Sequence, residues 1–209
     1  MGKKHNLKSF IYQNFIFLTG RVLHAHDFRD AREFTGKRLL LVGSSYSAED
    51  IGLQCIKYGA ESVICSYRSS PMGFKWPANF TERPILTKVE GKTAFFKDGT
   101  TAEVDAIIMC TGYKHHYPYL EDSLRLTGPN ILVLDDLYKG VVWLKGGNNK
   151  FLYVGAQDQY YTFTMFDMQA LWVMKYVTGQ IALPDPDLMD GNIKEWKEKY
   201  EKDFCLNHP

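Results

Sequence analysis

The 209 residues are enough for one large or two small domains with a substantial core, and 25 Lys and Arg against 24 Asp and Glu leave a net charge of +1. With no basic patch interleaved with aromatics, that balance argues against nucleic acid or another polyanion as partner. Cys55, Cys65, Cys110 and Cys205 stand far apart without CxxC spacing, and the six histidines form no HExxH-type set, which points to reduced thiols, a cytoplasmic protein and no metal.

The chain opens on a basic stretch followed by Phe10–Leu18, but Tyr12, Gln13 and Asn14 interrupt the apolar run and no A-x-A site follows, unlike a secretory signal. No run reaches the roughly 20 apolar residues that span a bilayer. Residues 20–35 read as a connecting segment. Gly36-Lys37 then turns into an apolar strand over 38–43. Ala48, Ile51, Gly52, Cys55 and Ile56 recur at i, i+3, i+4 spacing, so a helix is predicted over 47–58, with Gly59 ending it. Ser62–Tyr67 is a short apolar strand, and strand, helix, strand in this order predict a right-handed βαβ unit.

Residues 70–84 are punctuated by prolines and read as loop. The segments 87–89, 93–97 and 102–104, separated by Glu90-Gly91-Lys92 and Asp98-Gly99, predict a small antiparallel meander. Val104–Cys110 and Lys150–Gly155 read as further buried strands. Met165–Val177 is predicted as a helix, and Ile193–Phe204 as a charged, amphipathic helix on the surface.

The turn after the first apolar strand carries the chemistry. Against the G-x-G-x-x-G template, Gly43, Ser45 and Ala48 take the three glycine places: tight turn, close approach to a pyrophosphate, and helix-on-strand packing. Gly43, Ser44, Ser45, Tyr46 and Ser47 are the candidates for the pyrophosphate, seated on N–H groups at a helix N-terminus. At the end of the second strand an NAD site wants a carboxylate for the ribose 2′-OH; here stand Tyr67, Arg68 and Ser69. A guanidinium pairs with a 2′-phosphate, so these residues point to NADP rather than NAD. The competing reading makes Arg68 a solvated loop arginine and Ser44–Ser47 a simple helix cap.

These residues, taken with others, resemble the flavin-containing monooxygenases, and within them the bacterial-type trimethylamine monooxygenases. The signature F-x-G-x-x-x-H-x-x-x-[FYW] is matched by Leu18-Thr19-Gly20, His24 and Phe28, with leucine in place of phenylalanine. GSSYSAEDIG, PMGFKWP, CTGY, YKGVVW and QDQYY follow in the family's order. The resemblance implies a Rossmann-like NADP-binding domain over 36–111, a parallel βαβ sheet with a small antiparallel meander. That domain is inserted into an incomplete FAD-binding domain, represented by 1–35 as remnant or linker and by 112–209 as its C-terminal part.

It further implies oxygenation of a soft nucleophile, a small tertiary amine such as trimethylamine or else a sulfide, by O₂ with FAD and NADP(H) through a C4a-hydroperoxyflavin. Gln157, Asp158, Gln159 and Thr162 become the candidates for contact with flavin or nicotinamide. No catalytic residue is assigned, because the family's asparagine near the flavin belongs upstream of this sequence, as does its FAD fingerprint. The resemblance also allows a homodimer. Two alternatives stand beside it: a non-catalytic NADP-binding module and a Baeyer–Villiger-type oxygenase. Several residues have plain structural readings: His24 and Phe28 as packing, Phe74 and Trp76 as core or lid, Tyr160, Tyr161 and Phe163 as packing rather than an amine-binding wall, and His115-His116 as surface.

Overall fold

A computed structural model of the chain describes residues 20–127, 133–157 and 162–207, with residues 203–207 described by their backbone. The chain divides into two compact units, with the boundary between Thr111 and Gly112.

The first unit is built from β1 (Arg21–His24), β2 (Arg38–Val42), α1 (Tyr46–Lys57), β3 (Ser62–Ser66), β4 (Phe80–Arg83), β5 (Leu86–Glu90), β6 (Thr93–Phe96), β7 (Thr101–Glu103) and β8 (Ala106–Met109). Five strands form one parallel sheet in the order β1-β8-β2-β3-β4, while β5, β6 and β7 form the antiparallel meander. Leu39, Leu41, Val63, Cys65 and Ile108 point to one face and pack with Ala48, Ile51 and Cys55 of α1. Leu40, Ile64, Ile107 and Met109 point to the other and pack with Val89, Ala94 and Phe96 of the meander. Both faces are covered, so the central strands read as unbroken apolar runs rather than alternation. The expected βαβ unit and meander are present, and the fold is α/β with a Rossmann-type sheet.

Two strands of this unit are not legible in the sequence. Residues 20–35, read as a connector, supply β1 and two short 3-10 turns; residues 70–84, read as loop, supply the whole of β4. Both are edge strands, each paired on one side only. RVLH and FTER mix polar with apolar residues, with Arg21 and Thr81 exposed, and lack the apolar run that marks β2 and β8.

The second unit centres on a hairpin of β9 (Leu137–Tyr138) and β10 (Val142–Trp143). Its two-residue strands alternate faces: Leu137 and Trp143 join a cluster with Leu126, Tyr153 and Ala156, while Tyr138 and Val142 join Met189. Lys139 and Gly140 both have positive φ, 52° and 69°, and the Val141 N–H returns to the Tyr138 carbonyl at 3.0 Å. That is the geometry of a tight hairpin turn whose twist matches its strands. The strand expected over 150–155 is not formed; Leu152 makes an isolated bridge to Val142, and the rest of KFLYVG runs as irregular chain. The segment is apolar because Phe151 and Tyr153 fill the first cluster, not because it joins a sheet.

Two helices follow, α2 (Thr162–Val177) and α3 (Pro186–Asn207), each starting earlier than the apolar periodicity suggested. On α2, Phe163, Met165, Met168, Leu171, Met174 and Val177 are exposed. No helix among the described residues is long and apolar enough to cross a membrane.

Candidate functional site

Because the five strands of the main sheet are parallel, their carboxyl ends share one edge. That edge carries His24 at the end of β1, Cys110 after β8, Gly43 after β2, Tyr67 after β3 and Arg83 at the end of β4. The chain leaves β2 toward β3 on one side and returns as β8 on the other, so the strand order reverses between β2 and β8. Open parallel sheets bind ligands in the crevice at such a reversal.

Gly43 sits there with φ 115°, and a Cβ on it would overlap the carbonyl oxygen of Cys110. Its N–H donates to the Ser66 carbonyl at 2.9 Å, and the Cys65 thiol donates to the Gly43 carbonyl at 3.1 Å. The turn is thus fixed between β3 and β8. Ser45 is the N-cap of α1 in extended conformation, its side chain making no capping bond, while its carbonyl accepts from Ala48 and Glu49. Ser44, Ser45 and Ser47 place three hydroxyls at partly or fully exposed positions. Ala48 is fully buried, and Gly52 of the next turn lies so close to Phe80 and Leu41 that a Cβ would overlap the Phe80 ring. This donor set at a helix start suits an anionic ligand such as a pyrophosphate.

Tyr67 is half-buried, Arg68 and Ser69 exposed, and the Tyr67 N–H donates to the Arg83 carbonyl at 2.9 Å. Among the described residues Arg68 makes no ion pair. The structure therefore brings Gly43–Ser47 and Tyr67–Ser69 to neighbouring strand ends. Beyond them the loop 70–78 closes on Glu82, whose role was not read from the sequence; its carboxylate accepts from the Met72 N–H at 2.6 Å, the Gly73 N–H at 3.0 Å and the Trp76 indole N–H at 2.7 Å. Trp76 stacks on Phe80 with centroids 4.1 Å apart, and Phe74 meets it edge-on at 5.3 Å. His24 is buried, its Nδ1 accepting from the His26 N–H.

Burial pushes the thiols of Cys55, Cys65 and Cys110 up to about 12. All three are reduced and lie inside the core beneath the turn.

The second set of candidates lies in the other unit. Gln157 does not present a free amide: its Oε1 accepts from Gln169 Nε2 at 2.7 Å, and Gln169 Oε1 accepts from the Gly155 N–H at 2.9 Å. Gly140 makes room for that amide, since a Cβ there would overlap Gln157 Oε1. Thr162 is exposed at the start of α2. Asp158 and Gln159, with Tyr160 and Tyr161, lie outside the described residues, as do Leu18 and Thr19. His115, expected on the surface, is half-buried and stacks on Tyr117 at 6.0 Å, and desolvation lowers its pKa.

Residues 78–208, more than half of the chain, match the family described as flavin-binding monooxygenase-like. Trimethylamine monooxygenase of Roseovarius sp. (strain 217) is 58% identical over 182 residues, which are 87% of this chain and 40% of the relative. Trimethylamine monooxygenase of Methylocella silvestris is 56% identical over 183 residues, 88% of this chain and 40% of the relative. The crystal structure of Tmm from Pelagibacter sp. strain HTCC7211 superposes with a TM-score of 0.85 at 50% identity, over 90% of this chain and 42% of that one. The chain thus spans about 40% of the length of the curated relatives it matches. On the family match and the shared fold, the chain belongs to the flavin-binding monooxygenase-like family.

Proposed function

We propose that residues 36–111 bind NADP(H), and that the chain belongs to an NADPH- and FAD-dependent monooxygenase acting on a soft nucleophile, a small tertiary amine such as trimethylamine. The observation that carries the nucleotide reading is the exposed Arg68, unpaired among the described residues, at the strand end next to the Gly43 turn. The names of the two relatives above support the amine.

In this reading Gly43 to Ser47 hold the pyrophosphate by hydroxyl and N–H donation, and Tyr67, Arg68 and Ser69 hold the adenosine 2′-phosphate, the guanidinium supplying paired donors. β1, from the segment 1–35, completes the same sheet, while 112–209 belongs to the flavin-binding part. When bound, NADPH supplies the hydride and the flavin the activation of O₂. Thr162 and the backbone around Gln157 are the described candidates for the flavin or nicotinamide side. The Gln157 side chain holds α2 to the hairpin through Gln169 and is not counted as a ligand.

The test is nucleotide titration and an absorbance spectrum of the purified chain. The expected result is tighter binding of NADPH than NADH, with Arg68→Ala weakening NADPH roughly tenfold, the scale of a lost charge-assisted contact. Equal affinity for the two nucleotides, unchanged by Arg68→Ala, refutes the 2′-phosphate assignment. Flavin absorbance with trimethylamine-stimulated NADPH oxidation supports catalysis by this chain. NADPH binding without flavin supports a nucleotide-binding module instead.

A further inference from the structure

The stretch from Arg68 to Trp76 makes no backbone–backbone hydrogen bond among the described residues. Its neighbours are pinned: Tyr67 to Arg83 on one side, and Phe80 to Pro77 on the other. The three N–H groups of Met72, Gly73 and Trp76 all converge on one carboxylate, Glu82 of β4, with Oε1 taking the first and Oε2 the other two. Charge-assisted bonds of this kind are shorter and stronger than neutral ones. Trp76 is further clamped by stacking on Phe80, and Phe80 fills the notch that Gly52 leaves in α1. A continuous set of contacts therefore joins the helix behind the pyrophosphate turn to the loop that begins at Arg68.

We propose that Glu82 is a positioning residue for nucleotide choice: it folds the 70–76 loop so that Arg68 is held toward a 2′-phosphate. The proposal rests on the assignment of Arg68 made above. Both oxygens of Glu82 are turned onto loop N–H donors, so its carboxylate is spent on shaping the loop. Glu82→Gln keeps the size and one acceptor oxygen, but turns an NH₂ group toward N–H donors and so opens the loop.

The experiment titrates NADPH and NADH into the 209-residue chain and its Glu82→Gln, Trp76→Phe and Arg68→Ala variants, with thermal melting of each. Glu82→Gln is expected to weaken NADPH roughly tenfold and NADH less than about twofold, with Trp76→Phe intermediate. A structural defect alone would weaken both nucleotides together, because both share the pyrophosphate turn. If Arg68→Ala abolishes the preference for NADPH while folded Glu82→Gln and Trp76→Phe keep it, the positioning role is overturned and the 2′-phosphate assignment stands. If Arg68→Ala changes nothing, or the parent chain shows no preference, both fall. Should Glu82→Gln fail to fold, Trp76→Phe decides by the same ratio.

Discussion

Gly43 combines two demands no other residue meets: a φ of 115° and a backbone approach to Cys110 that leaves no room for a Cβ. Left-handed backbone alone costs a side chain about 1–3 kcal/mol. Gly43→Ala should therefore lower unfolding free energy by at least about 2 kcal/mol, read by denaturant titration, and weaken nucleotide binding as the turn shifts. Nearby, the thiols of Cys55, Cys65 and Cys110 are raised to about 12 by burial, so at pH 8 they carry almost no thiolate. Iodoacetamide at that pH should leave these three unmodified in the folded chain and alkylate them in denaturant, as peptide mass spectrometry would report. Rapid labelling of Cys65 under native conditions would contradict the packing beneath the turn.

Between elements, small polar relays do the joining. Gln169, 4% exposed, ties α2 to the chain after β10 by bonding both the Gly155 N–H and the Gln157 amide. Gln169→Leu strands a donor and an acceptor at once, and a cost of about 2 kcal/mol is expected in equilibrium unfolding. At the opposite edge of the main sheet from the nucleotide turn, Asp105 accepts from Arg38 Nε at 3.0 Å, Arg38 Nη2 at 3.1 Å and Lys92 at 3.0 Å, linking β2, β8 and the meander. The Arg38 hydrogen bond, then that from Lys92, holds its carboxyl well below the usual carboxylate range against the opposing pull of desolvation. A lowered folded pKa stabilises above the unfolded value, about 3.9, and that contribution is lost as pH falls from there through the folded value. Asp105→Asn should thus cost about 1 kcal/mol at pH 7, discounted for partial exposure. The gap to the parent chain should close below about pH 4 in acid titrations of stability; a gap unchanged at pH 2 would refute the linkage.

Across the whole molecule, the apolar face of α2 is the feature with a solution consequence. Phe163, Met168 and Val177 are 85%, 58% and 69% exposed, beside Leu171 and Met174. An exposed apolar stripe of this kind promotes association, so light scattering should show the chain self-associating at high concentration and Leu171→Lys with Met174→Lys reducing it. Scattering unaffected by the pair would refute this. The sequence alone determined the β2–α1–β3 unit, the meander and the residues of the nucleotide turn. Central strands buried on both faces, a helix with one buried stripe and a glycine-led turn each carry their pattern within a few neighbouring positions. Edge strands β1 and β4 were not legible, because polar residues, Arg21 and His24 in one and Thr81 to Arg83 in the other, break the apolar run. Nor was the hairpin at Lys139-Gly140, whose strands are two residues long and whose turn lacks the usual Asn-Gly. The tertiary structure alone decided that Gln157 is held by Gln169, and that Glu82 gathers the loop following Arg68. Those facts depend on which distant N–H groups reach which oxygen, and hydrogen-bond partners several elements apart leave no periodic trace in the chain.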